Sequence, residues 1–172
     1  MRFKSTGKMA GALFAAVALL ALPGTIMAQS GNTVLKPADM QKLLPQTVYY
    51  HGQTATVQVR NSGGVKFADG SYVLIAMADT SGYSSDIASK YQAYFIVEAP
   101  IRIGGKTLPA GVYGAGFVGS EFVVTDVGAH NVLTVPLHTD AGMKRPTPLQ
   151  VQAASGGGYR IYGGRKYVTF SR

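Results

Sequence analysis

From Thr47 to Phe170 the chain is a series of short β-branched, aromatic or alternating stretches, each closed by glycine, proline, serine or asparagine. That spacing restricts it to an architecture of many short strands. Thr54 to Arg60 puts Ala55, Val57 and Val59 on one face and Thr54, Thr56, Gln58 and Arg60 on the other, the pattern of a half-buried strand. Tyr72 to Ala78 (YVLIAMA) has no polar side, which predicts a central strand covered on both faces. Val112 to Val118 and Glu121 to Val127 predict a hairpin across Gly119-Ser120, with Val118 opposite Glu121 and Phe117 opposite Phe122. Tyr113, Ala115, Phe117, Phe122 and Val124 then share a core face.

Asn61–Gly64 reads as a turn, Gly104–Ala110 as a loop, and Leu149–Ala153 as a strand. Pro37–Leu44 predicts one short helix with proline in its first turn, ended by Pro45. Ser85 can cap a second, with Tyr83, Ile87 and Tyr91 on one side. About nine or ten strands separated by glycine-rich turns predict an all-β fold, an antiparallel β-sandwich, with a closed β-barrel as the alternative. No periodic repeat or linker divides the chain.

The N-terminus obeys a different logic. Arg2, Lys4 and Lys8 precede the apolar run Met9–Leu22, which Pro23 and Gly24 interrupt before Ala28. A basic start, a short apolar run and a small residue at the end are the marks of a secretory signal peptide, residues 1–28. The run has 14 residues, against about 20 for a membrane span. The chain is therefore expected to be exported, to the periplasm or beyond the cell, with no transmembrane segment in its mature form. Residues 29–36 read as a flexible tail, and 37–172 as a single β domain.

Removing the signal leaves 13 of the 16 lysines and arginines against 8 acids, a net charge of about +5. With no cysteine, disulfides and a lipid attached at cysteine are excluded. A basic protein outside the cytoplasm points to anionic partners: a polysaccharide, lipid headgroups or an acidic protein.

Motifs for chemistry are sparse. His51, His130 and His138 lack the spacing of a zinc site, and eight strand residues from His130 to His138 span about 26 Å. The paired-histidine strand of a cupin is missing, so no metal and no cofactor is expected. His138 and Asp140 are two apart, enough for a histidine oriented by a carboxylate, and form a secondary candidate pair. No nucleophile motif accompanies them. Gly156-Gly157-Gly158 lacks the lysine and following helix of a phosphate loop and reads as a turn. Gly114 and Gly116 form a flat strip that a neighbouring aromatic side chain is expected to cover.

The last hairpin carries the main candidate. A two-residue turn at Gly163-Gly164 places Tyr162 opposite Arg165 and Arg160 opposite Tyr167. One face then carries Arg160, Tyr162, Arg165, Tyr167 and Thr169. The other carries Tyr159, Ile161, Lys166, Val168 and Phe170. The second face is core; the first interleaves cations and rings that can stack on sugars and hold carboxylate or phosphate. The last 32 residues hold six lysines and arginines and no acid. Arg165–Phe170 (RKYVTF) matches only the end of an RNA-recognition aromatic signature. The two helices of that fold are absent, so no nucleic-acid partner is expected.

The stretches KYQAYFIVEAPIRIGGKTLPAGVYGAGFV, from Lys90, and RPTPLQVQAASGGGYRIYGGRKYVTF, from Arg145, resemble an uncharacterised group of small secreted bacterial all-β proteins. That resemblance implies a fold class and a compartment, and no functional residues. Three functions are open at this level. The first is a non-enzymatic binding or structural protein of the cell envelope or extracellular space, meeting an anionic or glycan-like partner through the basic–aromatic face. The second is a carrier of an apolar small molecule in a tyrosine-lined cavity, and the third an enzyme using His138 and Asp140.

Overall fold

The structure, a computed structural model, describes Met1 and residues 31–172. The expected signal peptide lies outside the described residues, Met1 apart. Among the described residues, fourteen strand segments and two short helices follow in chain order. They are β1 (Thr33–Leu35), α1 (Pro37–Met40), β2 (Thr47–Tyr50), β3 (Gln53–Lys66), β4 (Tyr72–Ala78), α2 (Ser85–Lys90), β5 (Ala93–Val97), β6 (Ile101–Ile103) and β7 (Lys106–Leu108). The remainder are β8 (Gly111–Val118), β9 (Glu121–Thr125), β10 (Asn131–Pro136), β11 (His138–Thr139), β12 (Gln150–Ala153), β13 (Tyr159–Gly163) and β14 (Lys166–Ser171).

All strand pairs are antiparallel. The first sheet runs β1-β3-β4-β5-β8-β9-β10, with β2 on β3; the second runs β12-β13-β14-β6-β7, with β11 on β14. Neither sheet closes on itself, so the chain is an all-β sandwich and not a barrel. Between the sheets lie Val73, Ile75, Phe95, Phe122 and Val124 of the first and Ile101, Ile103, Ile161, Val168 and Phe170 of the second. Fully burying a side chain of this size contributes roughly 1.5–3 kcal/mol.

The first sheet is also covered on its other face. Leu74, Ala76 and Ala78 alternate with Val73 and Ile75 along β4 and join a second cluster with Met40, Leu44, Val48, Tyr50 and Tyr91. These come from α1, β2 and the end of α2. The apolar run of β4 is thus central, as its sequence requires. The β8–β9 hairpin keeps its expected register, Val118 with Glu121 and Phe117 with Phe122. Gly114 and Gly116 are covered from outside: a Cβ on Gly114 would stand 2.2 Å from Cδ2 of Tyr91, and one on Gly116 2.4 Å from the Ser89 carbonyl.

Several local expectations change. The 29–36 tail is ordered strand at Thr33–Leu35, which pairs with Gly64–Lys66. The helix from Pro37 stops at Met40, and a further turn carries the chain to Leu44, whose N–H donates to the Met40 carbonyl. Asn61–Gly64 is not a turn. β3 continues through it with a bulge, pairing Gln58 with Met77 and next Ser62 with Ala76. Its glycines serve close approach: a Cβ on Gly63 would meet the Val151 backbone nitrogen at 2.9 Å, and one on Gly64 the Val73 carbonyl at 2.5 Å. Within Gly104–Ala110, a tight turn with φ of 53° and 84° at Gly104 and Gly105 leads into β7. Positive φ at both central residues is the hairpin geometry that glycine supplies.

The C-terminus locks the sheets together. Arg172 pairs with Asp69, donates to Ser71 Oγ at 2.7 Å and lies 5.3 Å from the Phe67 ring centroid, all at the turn between β3 and β4. The Arg172 hydrogen bond, with those from Ser71, holds the Asp69 carboxyl down at about 2. The stability this ion pair contributes is therefore present above the ordinary carboxylate range and is lost as pH falls through about 2. A carboxyl-detected NMR titration should find the Asp69 midpoint near 2, returning toward the ordinary range in Arg172→Gln; an ordinary midpoint in the unsubstituted protein contradicts the lock. Gly114→Ala should destabilise by about 1–3 kcal/mol through overpacking against Tyr91, read as a lower urea midpoint. An unchanged midpoint would mean that Tyr91 is not seated on the strand.

Candidate basic–aromatic face

The inner side of the second sheet is taken by core residues, so its alternate residues face outward, and no helix or sheet among the described residues covers them. Successive strands place Gln152, Arg160 and Thr169 in one cross-strand row, and Gln150, Tyr162, Tyr167 and His138 in the next. Arg102, between the buried Ile101 and Ile103, pairs with Ser171 and Thr107 in a third.

The final hairpin turns one residue later than its glycine pair implies. Gly163 pairs with Lys166, so Gly164-Arg165 forms the tip, and Tyr162 lies opposite Tyr167 and Arg160 opposite Thr169. Gly164 takes the positive φ of 63°. Gly163 stays in the strand because the Phe117 ring lies on it, 2.7 Å from where a Cβ would be. The offset is two residues, which preserves the faces. Arg160, Tyr162, Tyr167 and Thr169 still point one way, while Tyr159, Ile161, Val168 and Phe170 enter the core. Arg165 leaves the face for the turn, where its Nε donates to the Met143 carbonyl at 3.3 Å.

Tyr162 is not a surface residue. It is 1% exposed. Its hydroxyl donates to Asp140 Oδ2 at 3.1 Å and accepts from Arg160 Nη1 at 3.2 Å. Asp140 Oδ1 in turn accepts from the Gly142 N–H at 3.1 Å. The Arg160 guanidinium carbon lies 4.6 Å from the Tyr167 ring centroid, and Tyr167 packs against Tyr162 and His138 with centroids 5.2 and 5.3 Å apart. The main candidates Arg160, Tyr162 and Tyr167 and the secondary pair His138 and Asp140 are therefore one cluster. The register β11–β14, which no spacing in the chain announces, brings them together.

Within the cluster the roles separate. Asp140 is committed to Tyr162 and Gly142 and does not orient His138, whose ring lies over Tyr167 instead. The buried Tyr162, held by the half-buried Asp140, fixes one edge of Arg160. The bond from Tyr162 raises the Arg160 pKa further, so the guanidinium is a permanent cation. Arg160 Nε is, among the described residues, a shielded donor without a partner.

Beside this cation lies a depression of about 360 Å³ lined by Arg102, Arg160, Thr169, Ser171 and the Ala154–Gly157 turn. Arg102 was not foreseen as a site residue; the signal for it was a lone cation between two core isoleucines. Its Nη2 donates to the Gly105 carbonyl at 2.8 Å, which leaves most of the fork unspent. Two guanidinium groups with hydroxyls between them can take a carboxylate, sulfate or phosphate in bidentate fashion.

No protein-family model matches the chain, and no curated protein or solved structure shows detectable similarity to it. Among the described residues no three histidine or acidic side chains gather in the manner of a metal site, and no helix is long and apolar enough to cross a membrane.

Tyr162→Phe should cost about 1–3 kcal/mol, because the Asp140 carboxylate and Arg160 Nη1 both lose a sheltered partner. Chemical denaturation measures it. A phenylalanine variant as stable as the original would show that the relay holds nothing.

Proposed function

We propose that the chain is an exported, non-enzymatic binding protein that meets an anionic, glycan-like partner through the outer face of its second sheet. The observation that carries the reading is the placement of Arg102 and Arg160 on one open depression, with Arg160 held ready by Tyr162 and Tyr167. A cation restrained before binding loses less rotamer freedom on contact. Thr169, Ser171 and Gln152 add hydroxyl and amide partners of the kind a sugar uses.

The basic start and apolar run of residues 1–28 support export. The charge distribution supports the sign of the partner. After Asp140 the chain has no acid, while it still carries Lys144, Arg145, Arg160, Arg165, Lys166 and Arg172. Of the two tyrosines of the cluster, Tyr167 reaches the surface, whereas Tyr162 is buried. A polysaccharide bearing carboxylates or sulfates satisfies both the cations and the hydroxyl-rich rim.

Chromatography on immobilised anionic polysaccharide, such as heparin or alginate, tests the proposal. Arg102→Gln with Arg160→Gln should elute at clearly lower salt and bind at least about tenfold more weakly, since a hydrogen bond to a charged group contributes roughly 1.5–3 kcal/mol. Circular dichroism should show the fold intact. Elution of the double variant at the original salt would overturn the assignment.

A further inference from the structure

A second concavity lies on the far side of the molecule, on the outer face of the first sheet. It is a groove of about 290 Å³ between β2 and the ends of β5 and β8, lined chiefly by Tyr49, Tyr91, Tyr94, Val112, Tyr113 and Val127. Three of these are among the few large apolar side chains that stand exposed: Tyr49 at 73%, Val112 at 44% and Val127 at 62%. Such residues scattered singly need no explanation, but gathered on one groove they mark a contact surface.

The polar atoms of the groove narrow what it can take. Tyr50 is bonded to Thr125 at 2.7 Å and Tyr113 to the Pro109 carbonyl at 3.0 Å. The hydroxyls of Tyr49, Tyr91 and Tyr94 have no such partner among the described residues. Tyr91 is 1% exposed, stacked on Tyr50 at 3.6 Å between centroids and pressed on Gly114, so its ring is fixed. Burial pushes the phenols of Tyr91 and Tyr94 upward, which keeps both as neutral O–H donors. No lining residue carries a charge.

We propose that this groove is a second binding site, for an uncharged sugar ring. An ionic ligand would lose its hydration and find no counter-charge. A wholly apolar ligand would leave the Tyr91 hydroxyl buried without a partner. A pyranose has both required surfaces. Its C–H face, slightly positive, suits the negative face of a phenol ring such as Tyr49. Its equatorial hydroxyls meet the free hydroxyls of Tyr91 and Tyr94. The groove volume accommodates one ring with part of a neighbour, which fits an internal or terminal unit of a neutral glycan. This site shares no residue with the arginine depression and does not depend on it.

Isothermal titration of the intact protein with neutral oligosaccharides (cellohexaose, maltohexaose and chitohexaose), and separately with an apolar fluorescent dye, tests the proposal. At least one saccharide should bind with millimolar affinity or better. Tyr49→Ala, at an exposed position, should weaken it roughly tenfold, the scale of one lost aromatic contact. Tyr91→Phe, which keeps the ring and removes only the hydroxyl, should also weaken it, and Arg102→Gln/Arg160→Gln should leave it unchanged. Absence of saccharide binding, binding of the dye alone, binding indifferent to Tyr49→Ala and Tyr91→Phe, or binding lost in the arginine variant would each overturn the assignment.

Discussion

A strand with no polar side has to be covered twice, and β4 is the constraint on which the rest of the molecule depends. Val73 and Ile75 face the second sheet, while Leu74, Ala76 and Ala78 face the layer made by α1, β2 and Tyr91. The fold is accordingly three layers deep over its centre. The first sheet is covered on both faces, and the second is covered on one only. Both candidate surfaces follow from that asymmetry. The second sheet has a free outer face by construction, and the covering layer of the first stops short of the ends of β5 and β8.

On the free face, strict alternation divides the last hairpin between core and surface. Tyr159, Ile161, Val168 and Phe170 anchor it, and the same pleat presents Arg160, Tyr167 and Thr169 outward. The segment from His138 to Leu149 then adds depth. By pairing β11 with β14 it seats Asp140 on the Tyr162 hydroxyl, so a tyrosine of the outward row becomes a buried prop for the arginine beside it. A polar pair placed this way restrains the cation before any contact is made.

Much of this was legible in the chain. The alternation of Thr54–Arg60, the run Tyr72–Ala78, the register of the β8–β9 hairpin and the faces of the last hairpin apart from Arg165 and Lys166 are local properties of period two, and the structure has them. What was not legible depends on contacts distant in sequence. Gly63 and Gly64 look like turn residues, yet they admit Val151 and Val73. Gly163 looks like half of a turn, yet Phe117 holds it in the strand. Tyr162 reads as a surface ring because nothing nearby in the chain shows that Asp140 takes its hydroxyl. Arg102 was missed because IRI is too short to display its alternation, and the tyrosine groove because its residues come from four separate segments.

The central claim is that the free face of the second sheet is the surface at which an anionic partner is held. Amide chemical-shift mapping during titration with a short anionic oligosaccharide tests it most directly. Perturbations should concentrate on Arg102–Gly105, Ala154–Tyr162 and Tyr167–Ser171 and fade as salt is raised. Shifts confined to the β2 side of the molecule, or spread evenly over every exposed cation, would contradict it.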